Sequence, residues 1–120
     1  MSDLLSSLLC SLGITPNYTG YYYVVCAVEL TVSDSSHLVQ VTKDLYPTVA
    51  ARFSSTPSRV ERNIRHTAEL AWKTNPELLR RMAGHPLKQR PKASHFIAFL
   101  TAEYKRLLTQ EEPNGQQTFF

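Results

Sequence analysis

The stretch Thr56–Trp72, TPSRVERNIRHTAELAW, fits one regular structure and constrains what must surround it. Thr56 before Pro57, or Ser58 with Glu61 three residues on, makes a helix N-terminus. Projected at 100° per residue, Val60, Ile64, Thr67, Ala68 and Ala71 share one face, while Arg59, Arg62, His66 and Glu69 lie opposite, with Arg65 at their edge. A helix of this kind must bury the first face. Because the inward residues are mostly small or β-branched, a neighbouring helix can approach closely. The other face concentrates three arginines and a histidine within eight residues, and these need either solvent or an anionic partner.

The rest of the chain supplies the helices against which that face packs. Leu4, Leu5, Leu8, Leu9 and Leu12 form an amphipathic stripe that Gly13 stops. Thr15 to Gly20 reads as a connection, with Pro, Asn and Gly. YYYVVCAVELTV has strand propensity, but a dozen residues without a turn signal, and with no partner strand elsewhere, favour a helix. SDSSH is a cap and turn cluster, after which Leu38, Val41, Leu45, Val49 and Phe53 recur at helical spacing. Pro47 must either begin a new segment or bend this one, so PTVAARF is a short helix in either case. Asn75 and Pro76 cap PELLRRMAG, HPLKQRPK is a basic loop, and ASHFIAFLTAEYKRLL is a last amphipathic helix. The expectation is an all-α, six-helix domain over 1–110, with a helix-turn-helix near 46–73 and a polar tail at 111–120.

Composition enters through the distribution of charge. Residues 43–92 carry eleven Lys/Arg against four acids, a balance of +7, and the remainder carries two bases against six acids, a balance of −4. The middle of the chain is therefore suited to a polyanion and its flanks are not. The N-terminus has Asp3 where an export signal needs a positive flank, and the longest apolar run, YYYVVCAV, is far short of the ~20 residues that span a bilayer. Cys10 and Cys26 lie in apolar surroundings without ligand spacing, which reads as two buried thiols in the cytoplasm. The four histidines show no metal-ligand spacing, and no nucleophile elbow, phosphate loop or catalytic carboxylate pair is present. The sequence gives no sign of an enzyme, a cofactor or a membrane anchor.

A short helix, a tight turn and a second helix make the helix-turn-helix plan, whose second helix enters the major groove with its N-terminal turns leading. That would deliver Arg59, Glu61 and Arg62 to base edges. Arginine matches guanine O6 and N7, and glutamate accepts from cytosine N4. Arg52, Arg65, Lys73, Arg80, Arg81 and the loop residues Lys88, Arg90 and Lys92 are then candidates for phosphates, which fix register and supply salt-dependent affinity. The plain alternative is a solvated helix face, with Glu61 and Arg65 as an i, i+4 pair.

The segments GYYYVVCAVEL, VTKDLYPTVAARFSSTPSRVERNIRHTAELAW and SHFIAFLTAEYKRL together resemble the C-terminal effector domain of stage zero sporulation protein A, over nearly the whole chain. The resemblance implies a duplex-DNA-binding transcription factor of the response-regulator class that reads short boxes similar to TGTCGAA, often as two copies head to tail. It implies that Arg59, Glu61 and Arg62 read bases and that Ser58, Arg65 and His66 meet the DNA backbone. TNPELLRRMAG falls where the family meets the RNA polymerase sigma subunit, although Arg80 and Arg81 make this stretch more basic than is usual there. The family's phosphorylatable receiver has no counterpart within these 120 residues. A rival reading is a receiver-free interaction module or decoy that binds relatives or polymerase through Phe96, Ile97, Phe99 and Leu100, residues that would otherwise pack the core.

Overall fold

The computed structural model describes the backbone of residues 3–117 and the side chains of residues 4–110. Six α-helices occur among them: α1 (Asp3–Ser11), α2 (Thr19–Ser33), α3 (Tyr46–Arg52), α4 (Pro57–Thr74), α5 (Pro76–Ala83) and α6 (Ala93–Gln117). The segment read as a polar tail, 111–120, falls outside the described side chains, and α6 carries its backbone helically as far as Gln117.

The core forms around α2, which packs against α3, α4 and α6. Tyr21 and Tyr23–Val28 are all buried, so this helix is covered on nearly every side. Its uniform apolarity, which imitates a strand in sequence, is that of a central helix whose backbone bonds close within itself. The leucine stripe of α1 seals one end, with Leu5, Leu9 and Leu12 fully buried. Phe96, Ile97 and Leu100 of α6 are also fully buried, which removes from the surface most of the patch the interaction-module reading required.

Two local expectations, for Cys10 and for Gly20, need correction. Cys26 is buried, but Cys10 is exposed, because the leucine stripe turns its position outward. Tyr21 and Tyr23 join the core, whereas Tyr22 is 43% exposed. Gly20 belongs to the first turn of α2 rather than to the preceding connection. Of the two courses open at Pro47, the chain begins a new segment: a 3-10 turn, Ser35–Leu38, and a π turn, Val41–Leu45, precede α3, which has Pro47 in its first turn. Pro47 lacks the N–H that would continue an α-helix, and the Tyr46 N–H reaches back to the Val41 carbonyl in the wider turn. Thr48 Oγ1 donates to the Asp44 carbonyl at 2.7 Å, and the His37 ring stands 2.6 Å from the Asp44 carboxylate, pinning the two turns together.

Candidate nucleic-acid interface

The position of α4 is fixed from beneath, at both ends and along one flank. Val60, Ile64, Ala68 and Ala71 are fully buried, and Thr67, at 4% exposure, satisfies its hydroxyl by donating to the Ile64 carbonyl at 2.6 Å. Thr56 is the cap, its Oγ1 accepting from the Arg59 N–H at 3.2 Å, which leaves Ser58 exposed in the first turn. At the far end the Asn75 side chain accepts from Leu78 N–H at 3.2 Å and donates to the Ser11 carbonyl at 3.1 Å, tying α4 and α5 to α1. Along the flank, Gly20 lets α2 approach. A Cβ there would lie 2.4 Å from Thr67 Cγ2 and 2.8 Å from the Asn63 carbonyl oxygen.

The turn between α3 and α4 is equally determined. Ser54 adopts φ +51°, a left-handed conformation that a residue with a Cβ enters at a cost of ~1 kcal/mol. The Tyr23 hydroxyl donates to Ser55 Oγ at 3.1 Å, and the Tyr23 and Phe53 rings meet edge to face at 5.3 Å. These contacts hold the strained turn on α2 and so set the angle at which α4 leaves it.

On that support Ser58, Arg59, Glu61, Arg62 and Arg65 line a shallow cleft of about 450 Å³ with Thr56. Arg59 and Arg62 are exposed and make no ion pair among the described residues. His66 is exposed one turn beyond Arg62. Beside the cleft lies a groove of about 700 Å³ to which Glu61 and Arg65 also contribute, together with Tyr46 and, from the loop joining α5 to α6, Arg90 and Lys92. Burial, and after it the nearby Glu61 charge, push the Tyr46 hydroxyl up to about 12, so that wall of the groove stays neutral.

The remaining cations are not equivalent to these. Arg65 Nε stands 3.7 Å from Glu61 Oε2 and has no hydrogen-bond partner, and Arg90 Nη1 stands 3.6 Å from Glu69 Oε1. Both pairs are roughly two-fifths exposed, and such pairs contribute ~0–1 kcal/mol. Arg80 donates to Glu77 at 2.7 Å and lies 5.2 Å above the Trp72 ring, so α5 presents no free guanidinium at that position. Lys88 is absent from the lining of the groove and borders a neighbouring pocket with His85 and Phe99, to which Arg90 and Lys92 also contribute. Arg52 is separate from all of these, because it borders a small pocket with Tyr22, Cys26 and Phe53. Burial pushes the Cys26 thiol up, and the Arg52 charge and hydrogen bond pull in the opposite direction.

Of the residues singled out in the sequence, the fold therefore gathers Ser58, Arg59, Glu61, Arg62 and Arg65 at one cleft and adds Arg90 and Lys92 through the adjoining groove. It leaves Arg52 apart and puts Lys88 outside the groove, in a neighbouring pocket that shares Arg90 and Lys92 with it. Sequence reasoning missed Gly20, Ser54, Tyr46 and the Glu69–Arg90 pair. The pair joins residues far apart in the chain, for which no local spacing exists. Among the described residues no three His, Cys, Asp or Glu side chains converge in a metal-binding arrangement, and no helix is long and apolar enough to cross a membrane.

Residues 5–104 match the family described as Sporulation initiation factor Spo0A C terminal. The chain belongs to this family. A Spo0A C-terminal domain is the helical, DNA-binding effector part of a sporulation response regulator that controls transcription, so it is a transcription-factor domain rather than a member of a known enzyme family. Its partner is DNA.

Proposed function

We propose that this Spo0A C-terminal domain reads sequence in duplex DNA by placing the first turns of α4 in the major groove. Arg59 and Arg62 address guanine O6 and N7 there, and Glu61 addresses cytosine N4. The observation that carries this reading is the exposure of two guanidiniums, without an ion pair among the described residues, at the N-terminal turns of a helix whose underside is buried. Pro57 has no N–H and Thr56 takes up those of Arg59 and Val60, so at that helix end the Ser58 N–H is the group that suits this position to the DNA backbone. His66 and Lys92 extend the backbone contact along both sides. Arg65 and Arg90 join it by exchanging a weak carboxylate partner for phosphate, and Lys88 and Arg52 lie at the margins.

The family resemblance supports a box similar to TGTCGAA as target and two copies head to tail on tandem boxes. It also supports a sigma-subunit contact through the outer face of α5, where Glu77 and Arg81 are exposed. The setting is cytoplasmic and no cofactor takes part. A gel shift with a box duplex and a scrambled duplex of equal composition tests the reading. Preference for the box is expected, and equal affinity for both defeats it.

A further inference from the structure

The four ion pairs on the cationic side of the molecule and on α6 fall into two kinds. Away from the cleft, Arg80–Glu77 closes at 2.7 Å and Arg106–Glu103 at 2.5 Å, both as hydrogen bonds. At the groove beside α4, Arg65–Glu61 and Arg90–Glu69 stop at 3.7 and 3.6 Å, beyond hydrogen-bond reach. The loose pairs are thus the ones next to the proposed DNA surface. Glu69 is the more telling carboxylate. It lies two turns beyond Arg62 and one beyond His66, on the same outer stripe, so a docked backbone would meet a negative charge in the middle of a positive face. Its partner comes from a different element, the α5–α6 loop, so helix geometry alone does not account for the pairing.

A half-exposed pair at this distance is too weak to position a loop and weak enough to be exchanged. We infer that Glu69 is a specificity-determining residue which holds Arg90 as a counterion in the free protein and surrenders it to a DNA phosphate only when α4 is fully seated. A loosely docked duplex of the wrong sequence then encounters a neutralised arginine and a repelling carboxylate. A correctly seated duplex brings its phosphate close enough to take the guanidinium, and one more condensed cation leaves the DNA. Glu69 thereby weakens binding to every sequence, but to the wrong ones most.

This inference rests on the proposed reading of α4 and is tested by titrating wild type and Glu69→Gln with the box duplex and its scrambled counterpart over a series of salt concentrations. The variant is expected to bind scrambled duplex about 3- to 10-fold tighter, with a salt slope steeper by ~0.9, the value of one additional phosphate contact. Its box-to-scrambled ratio is expected to fall, with thermal melting unchanged because the side chain is 37% exposed. In an Arg90→Gln background the same change is expected to leave the slope where it was. Scrambled-duplex affinity equal to or weaker than wild type overturns the inference while leaving box preference standing, as does an undiminished slope change without Arg90. A wild-type protein indifferent to sequence overturns the proposed function, and this inference with it.

Discussion

Arg62 in α4 and Arg80 in α5 carry the same guanidinium, sit on neighbouring helices and were both candidates for DNA from sequence, Arg62 for bases and Arg80 for phosphate, yet the fold treats them in opposite ways. Arg62 is exposed and unpaired among the described residues, above a helix face with no solvent access. Arg80 is hydrogen-bonded to Glu77 and laid over Trp72. A polyanion gains a new charge-assisted contact at Arg62, whereas at Arg80 it must first displace a carboxylate and a ring. Net charge therefore locates a basic region, while pairing decides which of its cations can bind.

The sharpest way to break this contrast is to move the helix that creates it. Gly20→Ala places a methyl against Thr67 and the Asn63 carbonyl, and because the second is helix backbone the strain cannot relax through a rotamer alone. A loss of about 3 kcal/mol in urea unfolding is expected, with α4 displaced. A loss below about 0.5 kcal/mol would mean that α2 does not set the position of α4.

Replacing the two arginines themselves sharpens the contrast directly. Arg62→Ala is expected to cost about 1 to 3 kcal/mol on the box and little on scrambled duplex, measured by fluorescence anisotropy. Arg80→Ala should change both duplexes by less than about 0.5 kcal/mol, since its guanidinium is already occupied. Equal losses for the two variants would erase the distinction.

A third effect concerns the groove wall rather than the cations. The Tyr46 hydroxyl is held above its ordinary 10, at about 12, by burial and then by Glu61. A group raised in the folded state contributes fully below its unfolded value, and that contribution disappears as pH rises through the folded value. Stability should therefore fall by up to about 2 kcal/mol between pH 10 and 12. Tyr46→Phe should lack this part of the alkaline loss in denaturant titrations at successive pH values. An identical alkaline profile for the variant would contradict the buried, neutral phenol.

The smallest effect lies in the turn between α3 and α4. Ser54→Gly removes the left-handed penalty and, after the entropy that glycine adds to the unfolded chain, should stabilise by under about 1 kcal/mol. DNA affinity should not change. A variant less stable than wild type would show that the serine side chain, rather than strain, governs the turn.

The helices and the cationic face were legible in the sequence because both follow from local periodicity. Val60, Ile64, Thr67, Ala68 and Ala71 are all buried where the 100° projection places them, and Asn75 and Gly84 bound α5 as cap chemistry requires. What escaped was whatever depends on contacts between distant segments. Gly20 looked like turn punctuation because the chain does not announce that Thr67 will lie against it. The Leu38–Phe53 rhythm concealed a π turn, since apolar spacing near 3.6 does not register one extra residue per turn. Cys10 read as buried because its neighbours are leucines, although the outward direction of that position was implicit in their spacing. The pairing of Arg65, Arg80 and Arg90 divides the same way: the first two partners lie three or four residues away and could be read, and the third comes from another element.

The most direct measurement is a two-dimensional amide NMR titration of the domain with a box duplex. The largest shift changes are expected in residues 58–66, with smaller ones around Arg90 and Lys92 and little change in 76–83. Silence across 58–66, with the principal changes in α5 or α6, would contradict the assignment of the first turns of α4 as the surface that meets DNA.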